Sequence, residues 1–215
     1  MDTSPTSGLI HQAQALLDLG RPHEALQIAG MASSAKAPDA TVHCVMATGH
    51  LALGHLTEAS AEIRRAEQLE PGWEWPHRLR AMALLREAET TNGRKARRLR
   101  KQASKAASDA VQRGPAAPDA HCILGFAQLT LGQIDAARAA ARRAVELAPD
   151  EASGWVVVSL VELSDRQWAA AAYAAQRALA LDPDDEAAAT VLAAAQHRLG
   201  GAVFADPGHG LSRAS

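Results

Sequence analysis

The apolar positions of this chain follow a grid of small residues that returns every 34 residues, with one step of 44. Three series share this period and keep fixed offsets from one another. Their members are Ala25, Ala59, Ala103, Ala137 and Ala171; Ala32, Ala66, Ala110, Ala144 and Ala178; and Ala13, Ala47, Ala81, Gly125, Ser159 and Ala193. Periods of this size are typical of repeat arrays, in which each unit buries its apolar face by stacking on the next.

Glycine and proline divide each repeat into two predicted helices. The first helix ends at a glycine, which adopts the left-handed cap conformation at little cost; the residues at this place are Gly20, Gly54, Gly132 and Gly200, with Arg166 replacing glycine once. The second helix ends before a proline, which lacks the N–H that a helix interior needs. Asp39, Asp119 and Asp150 are predicted to cap first helices with their side-chain oxygens.

Three segments resemble the tetratricopeptide repeat: LALGHLTEASAEIRRAEQLEP (51–71), LTLGQIDAARAAARRAVELAP (129–149) and LSDRQWAAAAYAAQRALALDP (163–183). The first two match the Leu-Gly turn of the family, and all three match its paired small residues and terminal proline. The chain departs from the family at one position, where His43, His77 and His121 replace the usual tryptophan and Trp155 keeps it.

The resemblance implies an all-α fold, a right-handed superhelical solenoid of antiparallel helix pairs. Residues 7–199 would form five pairs and a terminal capping helix, between a disordered N-terminus (1–6) and a flexible C-terminal tail (200–215). The third unit carries ten extra residues, located around 90–93. Shared equally, they would lengthen each helix by about five residues, or roughly 7–8 Å, in an elongated hairpin at 74–113 that projects beyond the rim.

Members of this family usually bind peptides in a concave groove lined by the first helices. Carried onto this chain, the resemblance places the following residues there, and we call them the first-helix stripe: Ile10, Gln14, Leu17, Cys44, Thr48, Leu51, Trp75, Arg78, Met82, Leu85, Cys122, Phe126, Leu129, Val156, Leu160 and Leu163. A mostly apolar groove suits the apolar face of a partner helix or an extended apolar peptide. The alternative is that these residues pack on neighbouring helices or on the C-terminal tail.

Some family members clamp a chaperone's C-terminal carboxylate with Lys and Asn on their first two units. The matching positions here are Ile10, Gln14 and Thr48, so this clamp is absent and chaperone-tail docking is not expected.

A second candidate surface is the basic arm at 94–105, which contains no acidic residue. It comprises Arg94, Lys95, Arg97, Arg98, Arg100, Lys101 and Lys105. Five of these share one helix face, opposite a predicted apolar stripe of Ala96, Leu99, Ala103, Ala106 and Ala110. Such a ridge suits an acidic protein, anionic lipid or nucleic acid, although no aromatic residue is interleaved to stack on bases. The alternative is a solvated helix face.

Composition and motifs limit the other functions expected of this chain. The net charge is −2, which favours no particular partner. Cys44 and Cys122 lie two units apart, roughly 20 Å in a stacked array, which is too far for a disulfide or for shared zinc ligation. We found no phosphate loop, nucleophile elbow or paired catalytic acids, so neither an enzyme nor a cofactor or metal is expected. No secretory signal or apolar run of about 18 residues is visible, and we expect a cytoplasmic protein.

Together these patterns predict a non-enzymatic interaction scaffold or adaptor whose groove anchors are Trp75, Met82, Leu85, Phe126 and Leu129. The alternative function is binding of nucleic acid or another anionic surface through the basic arm.

Overall fold

The computed structural model describes residues 5–34 and 39–200, and every regular element within these ranges is an α-helix. The helices are α1 (Pro5–Asp18), α2 (Pro22–Ser33), α3 (Ala40–Ala52), α4 (Leu56–Leu69), α5 (Glu74–Glu89), α6 (Gly93–Arg113), α7 (Pro118–Leu129), α8 (Ile134–Leu147), α9 (Ala152–Ser164), α10 (Trp168–Leu181) and α11 (Glu186–Arg198). Helix α1 begins two residues before the predicted start of the array. The predictions for residues 1–4 and 201–215 lie outside the described residues.

The chain divides into two compact units, one reaching Pro149 and one starting at Asp150. In the first unit, each helix from α1 to α8 packs against the next, and the first helices α1, α3, α5 and α7 also pack against one another in order. In the second unit, α9 contacts both α10 and α11. Consecutive helix pairs of this kind confirm the all-α fold class predicted from the 34-residue period.

The small-residue grid marks the places where helices contact each other. Every member of the three series is buried except Ala193, and its alanines in the first unit are at most 2% exposed. A glycine outside the grid shows how close the helices come, because a Cβ on Gly49 of α3 would lie 2.9 Å from Leu26 Cγ of α2. Ala193 is exposed on α11, where no second helix follows within the described chain.

The turns inside the pairs have one backbone geometry. Gly54 and Gly132 both have φ of +75°, and Arg166 takes the same left-handed region with φ of +60°. The same hydrogen bonds close the turns, since His55 N–H donates to His50 O over 2.8 Å and Gln167 N–H donates to Glu162 O over 2.9 Å. Arg166 therefore adopts a backbone conformation that usually requires glycine. Its Cβ atom makes this conformation sterically unfavourable.

Replacing Arg166 with glycine should raise the free energy of unfolding by about 0.5–1 kcal/mol, because relief of the left-handed strain exceeds the extra freedom of glycine in the unfolded chain. Urea denaturation followed by circular dichroism measures this change. The reciprocal variant Gly132→Arg should lower the free energy of unfolding by about 1 kcal/mol. A destabilised Arg166→Gly protein would contradict the strain argument.

The helix N-termini differ in part from prediction. Asp39 caps α3 by accepting from Thr41 N–H over 2.7 Å, as expected. Asp119 and Asp150 are not caps, and those predictions were wrong; the caps of α7 and α9 are Ala117 and Glu151. For α7 the reason is Pro118, which suits the first helical position and moves the cap one residue upstream.

The ten extra residues lengthen the third pair unequally, rather than by five residues per helix. Helix α6 has 21 residues, seven more than the 14 of α4, α8 and α10. Helix α5 has 16, three more than α3 and α9. The seven additional residues add about 10 Å to α6. Most of the basic arm therefore lies on the added part of α6.

Candidate peptide-binding groove and basic arm

Part of the first-helix stripe is core rather than surface. Its five buried members are Ile10, Cys44, Leu51, Leu85 and Cys122. Leu85 is 6% exposed and clusters with Ala103 and Ala106 of α6, as Leu51 clusters with Ala59 of α4. A side chain so enclosed has almost no surface to offer a partner, so Leu85 packs the helices instead of presenting the anchor expected of it.

The other eleven members of the stripe keep part of their surface. Eight lie in the first unit, namely Gln14, Leu17, Thr48, Trp75, Arg78, Met82, Phe126 and Leu129. Val156, Leu160 and Leu163 lie on α9 in the second unit, where the two leucines pack against the local core. The partly exposed apolar members of the first unit are the positions at which a bound peptide has something to contact.

Trp75 occupies the middle of the stripe and has two roles. It packs against the apolar clusters on both sides, one containing Ile10 and the other Leu79. Its ring also meets Trp73 edge-on, with centroids 5.3 Å apart, and lies 6.0 Å from the guanidinium carbon of Arg78. Trp75 thus stabilises the packing of the helices, and only the part of its side chain that stays exposed can contact a partner.

Arg78 is held in an ion-pair network between α5 and α7. Its Nη1 lies 2.5 Å from Asp119 Oδ2, and its Nε lies 3.5 Å from Glu74 Oε2. Burial raises the pKa of Glu74, and the neighbouring Arg78 opposes that rise. A Cβ on Gly114 would lie 2.7 Å from Glu74 Cγ, so this glycine makes room for the carboxylate side chain. The network fixes Arg78 in place and neutralises its charge. The sequence alone had assigned this residue to the groove.

The histidines at the family's tryptophan positions are satisfied inside the fold. His121 Nε2 donates to Pro115 O over 3.0 Å, and His77 Nε2 donates to Pro71 O over 3.4 Å, the same offset of six residues. His43 Nδ1 lies 2.7 Å from Glu62 Oε2, with both side chains buried. Each of the three histidines thus has a polar partner within the fold.

Neither cysteine lies in the exposed surroundings typical of a reactive thiol. Both are buried and neither forms a disulfide, and burial raises the pKa of Cys44 to about 12, so the unreactive protonated form of that thiol predominates. Within residues 5–34 and 39–200, no group of three or more His, Cys, Asp or Glu side chains could hold a metal ion. None of the helices described is both long and apolar enough to cross a membrane.

The basic arm has the two faces predicted for it. Its apolar stripe is buried, with Ala96, Leu99 and Ala103 at most 7% exposed. Its cations are exposed except for the half-buried Arg100. Lys95 Nζ lies 3.3 Å from Glu87 Oε1, whereas the other six cations form no ion pair with any residue that the structure describes. The arm therefore presents a strongly cationic surface along α6.

The sequence profile of the tetratricopeptide repeat matches residues 118–151, which include the α7–α8 pair. Residues 118–151 are therefore a tetratricopeptide repeat, and the chain has the fold of tetratricopeptide repeat proteins. Its fold resembles that of a thermophilic TPR protein from Thermus thermophilus, with a TM-score of 0.80, 21% identity, and coverage of 89% of this chain and 99% of that one.

Two further solved structures share the repeat fold. MamA (residues 41 to the end) from Desulfovibrio magneticus RS-1 matches with a TM-score of 0.56 and 20% identity, over 85% of this chain and 98% of that one. YrrB, described as a TPR protein with an unusual peptide-binding site, matches with a TM-score of 0.53 and 16% identity, over 85% and 89% of the two chains. A comparison with curated protein sequences gave no match.

Proposed function

We propose that this protein is a non-enzymatic scaffold that binds an apolar peptide or the apolar face of a helix on its first helices. The observation that carries the proposal is the set of large, partly exposed apolar side chains on α5 and α7, namely Trp75, Met82, Phe126 and Leu129. Side chains of this kind supply contact area to a partner while their inner atoms remain packed in the core.

Two findings support this assignment. The fold is that of a family whose members act as protein-binding scaffolds, and the structurally similar YrrB is described as having a peptide-binding site. The electrostatics of the stripe also fit an apolar ligand, since Arg78 is already paired with Asp119 and Thr48 donates its hydroxyl to Cys44 O over 2.9 Å. The remaining surface of the stripe in the first unit is therefore mainly apolar.

The double variant Met82→Lys/Leu129→Lys tests the groove. Lysine keeps an apolar stem for packing and places a charge at the surface, so the fold should persist while an apolar ligand is repelled. One class of peptides selected from a displayed random library on the full chain should be apolar. Their affinity, measured by fluorescence anisotropy, should fall about tenfold or more in the variant.

Met31→Lys/Leu69→Lys is the matched control, because these residues are exposed on the second helices α2 and α4. The control should leave affinity unchanged. Equal binding to the groove variant, with native helicity retained, would contradict the proposal.

A further inference from the structure

Helices α4, α5 and α6 enclose an open cleft of about 590 Å³ that is separate from the first-helix stripe. Its α5 wall consists of Arg80, Ala83, Leu84 and Glu87, whereas the stripe uses other positions of that helix. The volume lies within the range of ordinary binding sites, about 300–1,000 Å³. The first unit therefore carries a second concave surface that the repeat pattern did not predict.

The cleft combines an apolar floor with cationic walls. Ile63 and Ala106 form the base of the cleft and are at most 6% exposed, so the half-buried Leu84 is the larger apolar side chain that a ligand can contact. Arg64 of α4 and Lys105 of α6 stand on opposite helices, are exposed, and form no ion pair with any described residue. These two cations are available to a ligand.

The other charges of the cleft are partly compensated. Arg80 is paired with Glu67, and Glu87 is paired with Lys95. Asp109, on the same helix as Lys105, is the remaining charged residue of the lining. Ligand carboxylates would therefore meet Arg64 and Lys105 first.

The cleft is continuous with the basic arm. Lys105 belongs to both surfaces, and Arg94, Arg98 and Lys101 precede it on the same face of α6 at helical three-and-four spacing. The segment from Arg94 to Lys105 is about 16 Å long. A ligand that enters the cleft can thus extend along a row of exposed cations.

We propose that the cleft and the cationic face of α6 form one site for an acidic peptide with an apolar anchor residue. The anchor would enter the cleft against the half-buried Leu84, and flanking carboxylates would pair with Arg64, Lys105 and the cations towards Arg94. This inference rests on the general role as a protein-binding scaffold under the proposed function, but not on the groove of the first helices.

The lining favours a peptide over a nucleic acid. Glu87 and Asp109 can accept hydrogen bonds from peptide N–H groups, for which a sugar-phosphate backbone has no N–H counterpart. The floor is aliphatic, and the arm holds no aromatic side chain on which bases could stack. An aliphatic floor suits a Leu, Ile or Phe anchor.

Peptides from a displayed random library, selected on the full chain, test this site directly. One selected class should be acidic with a single large apolar residue, and should bind less tightly as salt rises. Arg64→Glu/Lys105→Glu should weaken this class about tenfold or more. Ser60→Trp, which fills the cleft from a half-buried lining position, should weaken it without changing any charge.

The matched control Arg86→Glu/Arg143→Glu reverses two exposed cations that do not line the cleft, and it should leave the affinity within about threefold. Met82→Lys/Leu129→Lys should also leave acidic-peptide binding intact, which separates this site from the groove. The proposal is overturned if no acidic class is selected, if acidic peptides bind the cleft variants as tightly, or if a single-stranded oligonucleotide binds the arm more tightly than they do.

Discussion

Replacing Ala137 of α8 with leucine should lower the free energy of unfolding by about 2 kcal/mol, a typical cost of overpacking a dense core. Ala137 is a grid position with no exposed surface, in the helix pair matched by the family profile. The extra atoms would force α7 and α8 apart or push the side chain off its rotamer. Urea denaturation followed by circular dichroism measures the loss.

The adjacent residue supplies the control. Ala136 is exposed on the same helix, so Ala136→Leu adds the same atoms without overpacking and should change stability by less than about 0.5 kcal/mol. Equal losses in both variants would show that leucine perturbs α8 itself rather than a helix contact.

Arg78→Met should lower the free energy of unfolding by about 2–3 kcal/mol at neutral pH. The substitution removes the partner of Asp119 and leaves the enclosed Glu74 carboxylate without its cation. Arg78 and Glu74 have side chains that are each less than one-fifth exposed, which places the pair between a surface ion pair and a fully buried one.

The pH dependence of this loss identifies its source. The pKa of Glu74 is raised in the folded state, so folding favours its protonated form, and this stabilisation is lost as pH rises through the folded pKa. Without Arg78 that pKa should rise further. The gap between Arg78→Met and wild type should therefore narrow as pH falls from 7 towards about 5, as measured by denaturation at each pH.

Adding Glu74→Gln to Arg78→Met should recover part of the stability at neutral pH, because the uncompensated charge is gone. A loss that stays constant with pH and is not recovered by this second change would assign the effect to packing against Trp75 instead.

Much of the fold follows from local signals in the sequence. The small-residue period gives the helix pairs, and left-handed glycines give their turns, even where Arg166 substitutes. The buried stripe of α6 follows from three-and-four spacing. The distribution of the ten extra residues was not predictable, because spacing reveals how many residues are inserted and not which helix receives them.

The binding surfaces were less predictable because they depend on contacts between distant segments. The repeat register located the first-helix stripe but could not show that Leu85 is enclosed by α6. Likewise, Arg78 is neutralised by Asp119, 41 residues further on. The cleft joins Ser60 to Asp109 across three helices, and no single motif contains both residues.

The two buried thiols can report local opening of the first unit. Cys44 on α3 and Cys122 on α7 lie in different helix pairs, and both are shielded from solvent. An alkylating reagent should modify each sulfur atom mainly when the helices packed around it separate, so the two modification rates report helix separation at two places in the unit. Mass spectrometry of the two peptides would thus measure whether neighbouring pairs of this array unfold together or one at a time.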